Sequence, residues 1–134
     1  MKNIKRFMEI GEGNLNKTHL GNCMELAKKL PNDSVDLIVT SPPYADTVSY
    51  GKYVDVMNPD NYVNWFLPLF HEASRFLKPT GSFILNINDR ANNGERHIYV
   101  YELVTRIVKE TGLKLFDRYI WFKKCALPMP GEKR

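Results

Sequence analysis

Val35-Asp36-Leu37-Ile38-Val39-Thr40-Ser41-Pro42-Pro43-Tyr44 is the stretch on which the reading of the fold turns. Its first six residues are a compact β-branched run, the composition of a buried strand. Pro42 and Pro43 carry no amide hydrogen, so a central ladder cannot continue through them. Working outward, Pro31-Asn32-Asp33-Ser34 is turn chemistry leading into that strand. Before it, Asn22 is a fitting N-cap for a helix over about 24–30, and 17–21 reads as a short strand. After it, 45–58 has no period and reads as a long mobile loop. Apolar residues at helical spacing (Tyr62, Phe66, Leu69, Phe70, Ala73) predict a helix over about 61–77, with Pro68 as a blemish inside it. Lys78-Pro79-Thr80-Gly81 reads as its stop, and 82–87 as a second buried strand. Asn92-Asn93-Gly94 is a turn, 97–111 a helix ended by Gly112, and 113–122 a last strand. Strands alternating with helices predict an α/β domain with a mainly parallel sheet.

Composition supports one globular unit. The chain has 134 residues, 43% of them hydrophobic and 25% charged, so residues 1–134 read as a single domain, with 1–16 as an N-terminal extension. A chain of this length buries roughly two-thirds of its unfolded surface. No apolar run approaches the roughly 20 residues of a membrane-spanning helix. Cys23 and Cys125 are too few for a disulfide framework, and a reducing cytoplasm is the expected setting. The formal charge of +4 permits nucleic-acid binding without demanding it.

The chemistry concentrates just past the first strand. Ligands of α/β sheets bind at the carboxyl ends of strands, where Ser41-Pro42-Pro43-Tyr44 falls. Two prolines leave carbonyl oxygens as the available backbone groups, and the Ser41 hydroxyl and Pro42 carbonyl can both accept from an NH₂ group. Tyr44 offers a flat face on which a planar base can stack. In 45–58, Tyr50, Lys52 and Tyr53 interleave aromatic and basic groups, an arrangement equally suited to nucleic acid and to plain surface. His19, His71 and His97 have no metal-ligand spacing. Asp36 reads as a polar edge position, and Asp89 either lines the cleft or caps a helix.

These residues resemble the amino-methyltransferases of DNA, which methylate cytosine N4 or adenine N6. The resemblance runs from His19-Leu20-Gly21-Asn22-Cys23 through Leu30–Tyr44, Trp65-Phe66 and Leu77-Lys78-Pro79-Thr80-Gly81-Ser82 to Trp121-Phe122-Lys123. It implies a partial S-adenosylmethionine-dependent methyltransferase fold, Rossmann-like, in the branch where the catalytic motif comes first. Ser before Pro-Pro-Tyr is similar to the cytosine-N4 enzymes, whereas Asp there is typical of adenine-N6 enzymes. The implied catalytic residues are Ser41, Pro42, Pro43 and Tyr44. Asn22 (where relatives usually carry Asp), Ser41 and Pro42 would meet S-adenosylmethionine. Tyr50, Lys52, Tyr53, Trp121 and Lys123 would contact double-stranded DNA carrying a flipped cytosine.

The family's Phe-x-Gly-x-Gly cofactor loop has no counterpart; Gly11-Glu12-Gly13 reads as a turn. The expectation is therefore a catalytic half, either one subunit of a split enzyme or an excised fragment, that needs a companion chain carrying that loop and a target-recognition region. Without one, the edge and apolar face of 35–40 would drive self-association. Adenine-N6 or RNA-base methylation, and a non-catalytic module that binds DNA or a partner, are the alternatives.

Overall fold

A computed structural model of the chain describes residues 16–44, 58–89, 91–92 and 94–122. Helix α1 (Cys23–Ala27) is followed by strand β1 (Val35–Thr40), helix α2 (Pro59–Phe76), strand β2 (Leu77–Leu85), a short antiparallel pair β3 (Ala91–Asn92) and β4 (Glu95–Arg96), and helix α3 (Tyr99–Thr111). β1 and β2 run parallel, pairing Leu37 with Ser82 and Thr40 with Leu85. The α/β architecture with a parallel sheet is as expected.

Local sequence accounts for the helix ends. The Asn22 side chain accepts from the Met24 amide at 2.9 Å and starts α1, while Asn58 does the same for the Asp60 amide at 3.0 Å in α2, with Pro59 in the first turn. Both are side-chain oxygens satisfying amides that the helix itself leaves unpaired. α2 runs through Pro68 as one element. α3 ends where Gly112 adopts φ 75°, a left-handed conformation that glycine takes without penalty.

One face of the β1–β2 pair is covered. Tyr62, Val63, Phe66, Leu67 and Phe70 of α2 pack with Tyr99, Leu103 and Ile107 of α3, and Phe83 and Leu85 of β2 lie against them. A smaller cluster of Ala27, Ala73 and Phe76 takes in Val35 and Ile38. Arg75 ties the lower end together: its guanidinium donates to the carbonyls of Ala27 (3.1 Å) and Leu30 (2.6 Å) and to Glu72 (2.9 Å). The planar five-donor fork suits that spread of acceptors, and a lysine could not reproduce it. Between the helices, Arg106 donates to Asn64 at 2.7 Å and to Glu110 at 2.6 Å. The Arg106 hydrogen bond holds the Glu110 carboxyl below its ordinary range.

Three expectations are corrected. Strand β2 begins at Leu77, not at 82, because Lys78–Gly81 does not end the secondary structure. It forms a bulge between the Val35–Leu77 and Leu37–Ser82 pairs. Proline is tolerated at a bulge, so the same letters serve a turn and this irregularity. Residues 17–21 and 113–122 form no strand among the described residues. Strand propensity is expressed only where a ladder partner supports it, and here Leu20 and Phe116 are almost fully exposed. The N-terminal extension, apart from Asn16, and loop residues 45–57 lie outside the described residues.

The bulge explains Gly81. A Cβ there would sit 2.9 Å from the Leu77 side chain and 3.0 Å from the Asp36 carbonyl, closer than a real Cβ is found. Gly81→Ala should therefore destabilise the chain by about 1–3 kcal/mol, the usual effect of overpacking. Urea denaturation checks this, and an unchanged midpoint would mean that the strand pair has slack at the bulge.

Candidate functional site

Both parallel strands end on the same side, and each hands its chain to a loop fixed by a buried tyrosine. After β1, the Pro43 carbonyl accepts from the Tyr62 hydroxyl at 2.8 Å. After β2, the Asn88 carbonyl accepts from the Tyr99 hydroxyl. Tyr62 and Tyr99 are themselves packed together, with ring centroids 4.8 Å apart. Each brings an apolar ring to the core and a polar tip to its rim. Helices α2 and α3 thus hold the two loops at one spacing.

On that platform Ser41, Tyr44 and Asn86 come together. The Ser41 and Tyr44 hydroxyls are 2.7 Å apart. The Asn86 amide nitrogen lies 3.4 Å from Ser41 Oγ and 3.3 Å from the Tyr44 oxygen. The Tyr44 hydroxyl donates in turn to the Asn86 carbonyl at 3.4 Å. Asn86 is pinned to β1 by its own amide, which donates to the Thr40 carbonyl at 2.9 Å. Ser41 is exposed, Pro42 buried, and Pro43 and Tyr44 half-buried. Among the described residues no donor reaches the Pro42 carbonyl. The site thus presents an exposed hydroxyl oxygen beside a carbonyl that has no donor among the described residues, a pair of acceptors suited to the two hydrogens of an amine.

Other predicted site residues fall elsewhere. Asn22 lies at the start of α1, where its side-chain oxygen accepts from the Met24 amide. Trp121 is 76% exposed in the segment after α3, so it is surface rather than core. Tyr50, Lys52, Tyr53 and Lys123 lie outside the described residues. Asp36 pairs with Lys78 at 2.7 Å, and Asp89 meets Arg96 at 2.8 Å, while α3 starts from Ile98 with no side-chain cap. His71 faces Glu110 at 3.9 Å. Cys23 is an exposed free thiol. No helix among the described residues is long and apolar enough to cross a membrane.

Sequence reasoning overlooked Tyr62, Tyr99 and Asn86. The tyrosines look like ordinary members of helical apolar stripes. Asn86 carried a usable signal, being a polar amide directly after an aliphatic strand, at the carboxyl end where ligands bind.

Behind the site, the sheet is bare. Leu37, Val39 and Ile84 point away from α2 and α3 and are 54%, 66% and 52% exposed. Among the described residues, β2 is the one strand paired with β1.

Comparison with known proteins places this arrangement. A family model described as DNA methylase matches residues 35–134. Type II methyltransferase M.PvuII of Proteus hauseri is 32% identical over 116 residues, which make up 85% of this chain and 34% of that protein. DNA adenine methyltransferase YhdJ of Escherichia coli (strain K12) is 34% identical over 76 residues, 55% of this chain and 26% of YhdJ. The solved structure of PvuII DNA methyltransferase (cytosine-N4-specific) matches with a TM-score of 0.69 at 32% identity, covering 84% of this chain and 40% of that one. The chain therefore spans about a third of the length of M.PvuII. Its parallel strands and covering helices are part of the S-adenosylmethionine-dependent methyltransferase fold. The chain belongs to the DNA methylase family of N6 and N4 amino-methyltransferases.

Proposed function

We propose that this chain supplies the catalytic motif of a DNA cytosine-N4 methyltransferase, working as one catalytic half-domain in the cytoplasm. The observation that carries this reading is the pair of acceptors at the end of β1: the exposed Ser41 hydroxyl and the Pro42 carbonyl, which no donor among the described residues reaches. The name of the PvuII structure supports cytosine N4 as the target, and so does serine rather than an acid at position 41.

The target amine is conjugated with its ring, and its lone pair is a poor nucleophile while the group stays planar. Ser41 and the Pro42 carbonyl would accept its two N–H groups and hold the nitrogen pyramidal, so that the lone pair leaves conjugation with the ring and stays on nitrogen. Pro43, held by Tyr62, fixes the carbonyl before it. Tyr44 would stack on the base once it has left the duplex, since the reacting atom is hidden inside the helix. The nitrogen lone pair would take the methyl group as its bond to sulfur breaks and a neutral thioether leaves, and the proton shed by the methylated amine would pass by way of the Ser41 hydroxyl to solvent. S-adenosylmethionine, when bound, supplies a methyl group activated by its sulfonium. In this reading the Ser41–Pro42 corner would lie against the methionine end of the cofactor, and the Asn22 amide would meet its adenosine. Holding the reactants in this geometry is the main catalytic device, as orientation alone can remove about 7–11 kcal/mol of barrier.

The exposed Leu37, Val39 and Ile84 face supports a companion surface, on a second chain or a second copy, as the completing element. The DNA contacts assigned to Tyr50, Lys52, Tyr53, Trp121 and Lys123 belong to the same reading.

Three outcomes are expected. Plasmid treated with the active assembly and digested to nucleosides should contain N4-methylcytosine by mass spectrometry; N6-methyladenine alone would move the activity to adenine. Ser41→Ala should lower turnover by roughly tenfold to a thousandfold, the range for losing one positioned polar group, and unchanged turnover would make Ser41 a bystander. In sedimentation at micromolar concentration the purified chain should self-associate or bind its companion. A stable monomer would mean that residues outside the described ones cover the apolar face.

A further inference from the structure

We propose that Asn86 is a positioning residue for Ser41, setting the direction of its hydroxyl proton so that an oxygen lone pair faces the target amine. The inference rests on the methyltransferase reading for its purpose, but its geometry stands apart from it. Two hydroxyls 2.7 Å apart share one proton between them. Which oxygen supplies it is decided by the neighbours. Tyr44 has another acceptor for its proton, the Asn86 carbonyl at 3.4 Å. An amide N–H can only donate, and the Asn86 amide faces both oxygens, at 3.4 Å from Ser41 and 3.3 Å from Tyr44. Among the contacts of the described residues, the arrangement that uses every group has Tyr44 donating to the Asn86 main-chain carbonyl and Ser41 donating to Tyr44. Ser41 then keeps two lone pairs. One takes the Asn86 amide, and the other is left on the exposed side for an N–H of the substrate.

The reverse order fails on each count. If Tyr44 donated to Ser41, the Asn86 carbonyl would lose that proton, and the Ser41 proton would point outward at the amine hydrogens. Each contact to Asn86 is long and weak alone. Their effect is on direction, and it is reinforced because Asn86 is fastened to the same strand through the Thr40 carbonyl at 2.9 Å.

The test replaces shape and donor separately. Asn86→Asp keeps the side-chain outline and removes the N–H groups, while Asn86→Ala removes both. In the assembly that gives the wild type its methyl-transfer activity, both variants should lose about a hundredfold in kcat, the scale of a misdirected catalytic group. KM for DNA and for S-adenosylmethionine should stay within about threefold, and the melting midpoints should stay at the wild-type value. A residue that merely fills space would leave Asn86→Asp at wild-type kcat, and that result overturns the proposal. A second readout needs no activity. In nitrogen-15-labelled full-length protein, the Asn86 side-chain amide should be displaced from the free-amide position and should return toward it in Ser41→Ala. An amide that stays put in Ser41→Ala overturns the proposal whether or not the wild type is active. A wild type that transfers no methyl group counts against the proposed function, and the amide resonance then decides the positioning claim alone.

Discussion

Two consecutive prolines take the chain out of the ladder at the end of β1, and the rest of the site answers that constraint. Pro42 and Pro43 give up two donors but keep two carbonyls, in a place where the backbone can no longer be held by strand pairing. The protein holds it from below instead. Tyr62, buried in α2, donates to the Pro43 carbonyl at 2.8 Å, so the position of the motif is set by helix packing. The Tyr62–Tyr99 contact carries the same control to the loop after β2. One carbonyl is thereby spent on anchoring, and the adjacent one has no donor among the described residues. Removing the Tyr62 hydroxyl would leave the Pro43 carbonyl unsatisfied, a loss of about 1–3 kcal/mol if water cannot replace it.

The parts legible in the sequence are those whose cause is local. The β-branched run of 35–40 becomes β1, the apolar spacing from Tyr62 to Phe76 becomes α2, and Gly112 ends α3 in the left-handed conformation it was expected to take. Asn22 caps a helix as its position implies, although the helix is shorter than its apolar pattern suggested. What stayed hidden depends on distant partners. Lys78–Gly81 has turn composition, and only its pairing with Val35–Leu37 makes it a bulge within β2. Residues 113–122 have strand composition without a strand beside them among the described residues. The site divides in the same way: Ser41–Tyr44 is continuous in the chain and could be read directly. Tyr62, Tyr99 and Asn86 act through space; nothing near the two tyrosines marks them, and only the position of Asn86 just past an aliphatic strand hints at its place.

The two faces of the sheet carry different chemistry. Ile38, Phe83 and Leu85 join the core with α2 and α3, while their alternates Leu37, Val39 and Ile84 meet solvent. In antiparallel sheets an exposed face is commonly polar, but parallel sheets are usually apolar on both sides because helices cover both. The aliphatic outer face is therefore the pattern of a strand pair meant to be covered twice. The polar residues of these strands are placed at the margins, as with Asp36 and Lys78, which neutralise one another across the bulge at 2.7 Å.

The register of β1 with β2 also sets an order of assembly. Thr40 pairs with Leu85 and Ile38 with Phe83, partners separated by the whole of α2. Closing so long a loop before any helix exists is entropically unfavourable, and parallel pairing gives no hairpin to nucleate it. α2 shortens that search, since it feeds directly into β2 at Leu77 and brings Arg75 to the carbonyls of Ala27 and Leu30. The topology favours a route of helix first, clamp second and ladder last. The four residues of the motif, lying beyond the final pair of that ladder, would be the last to settle.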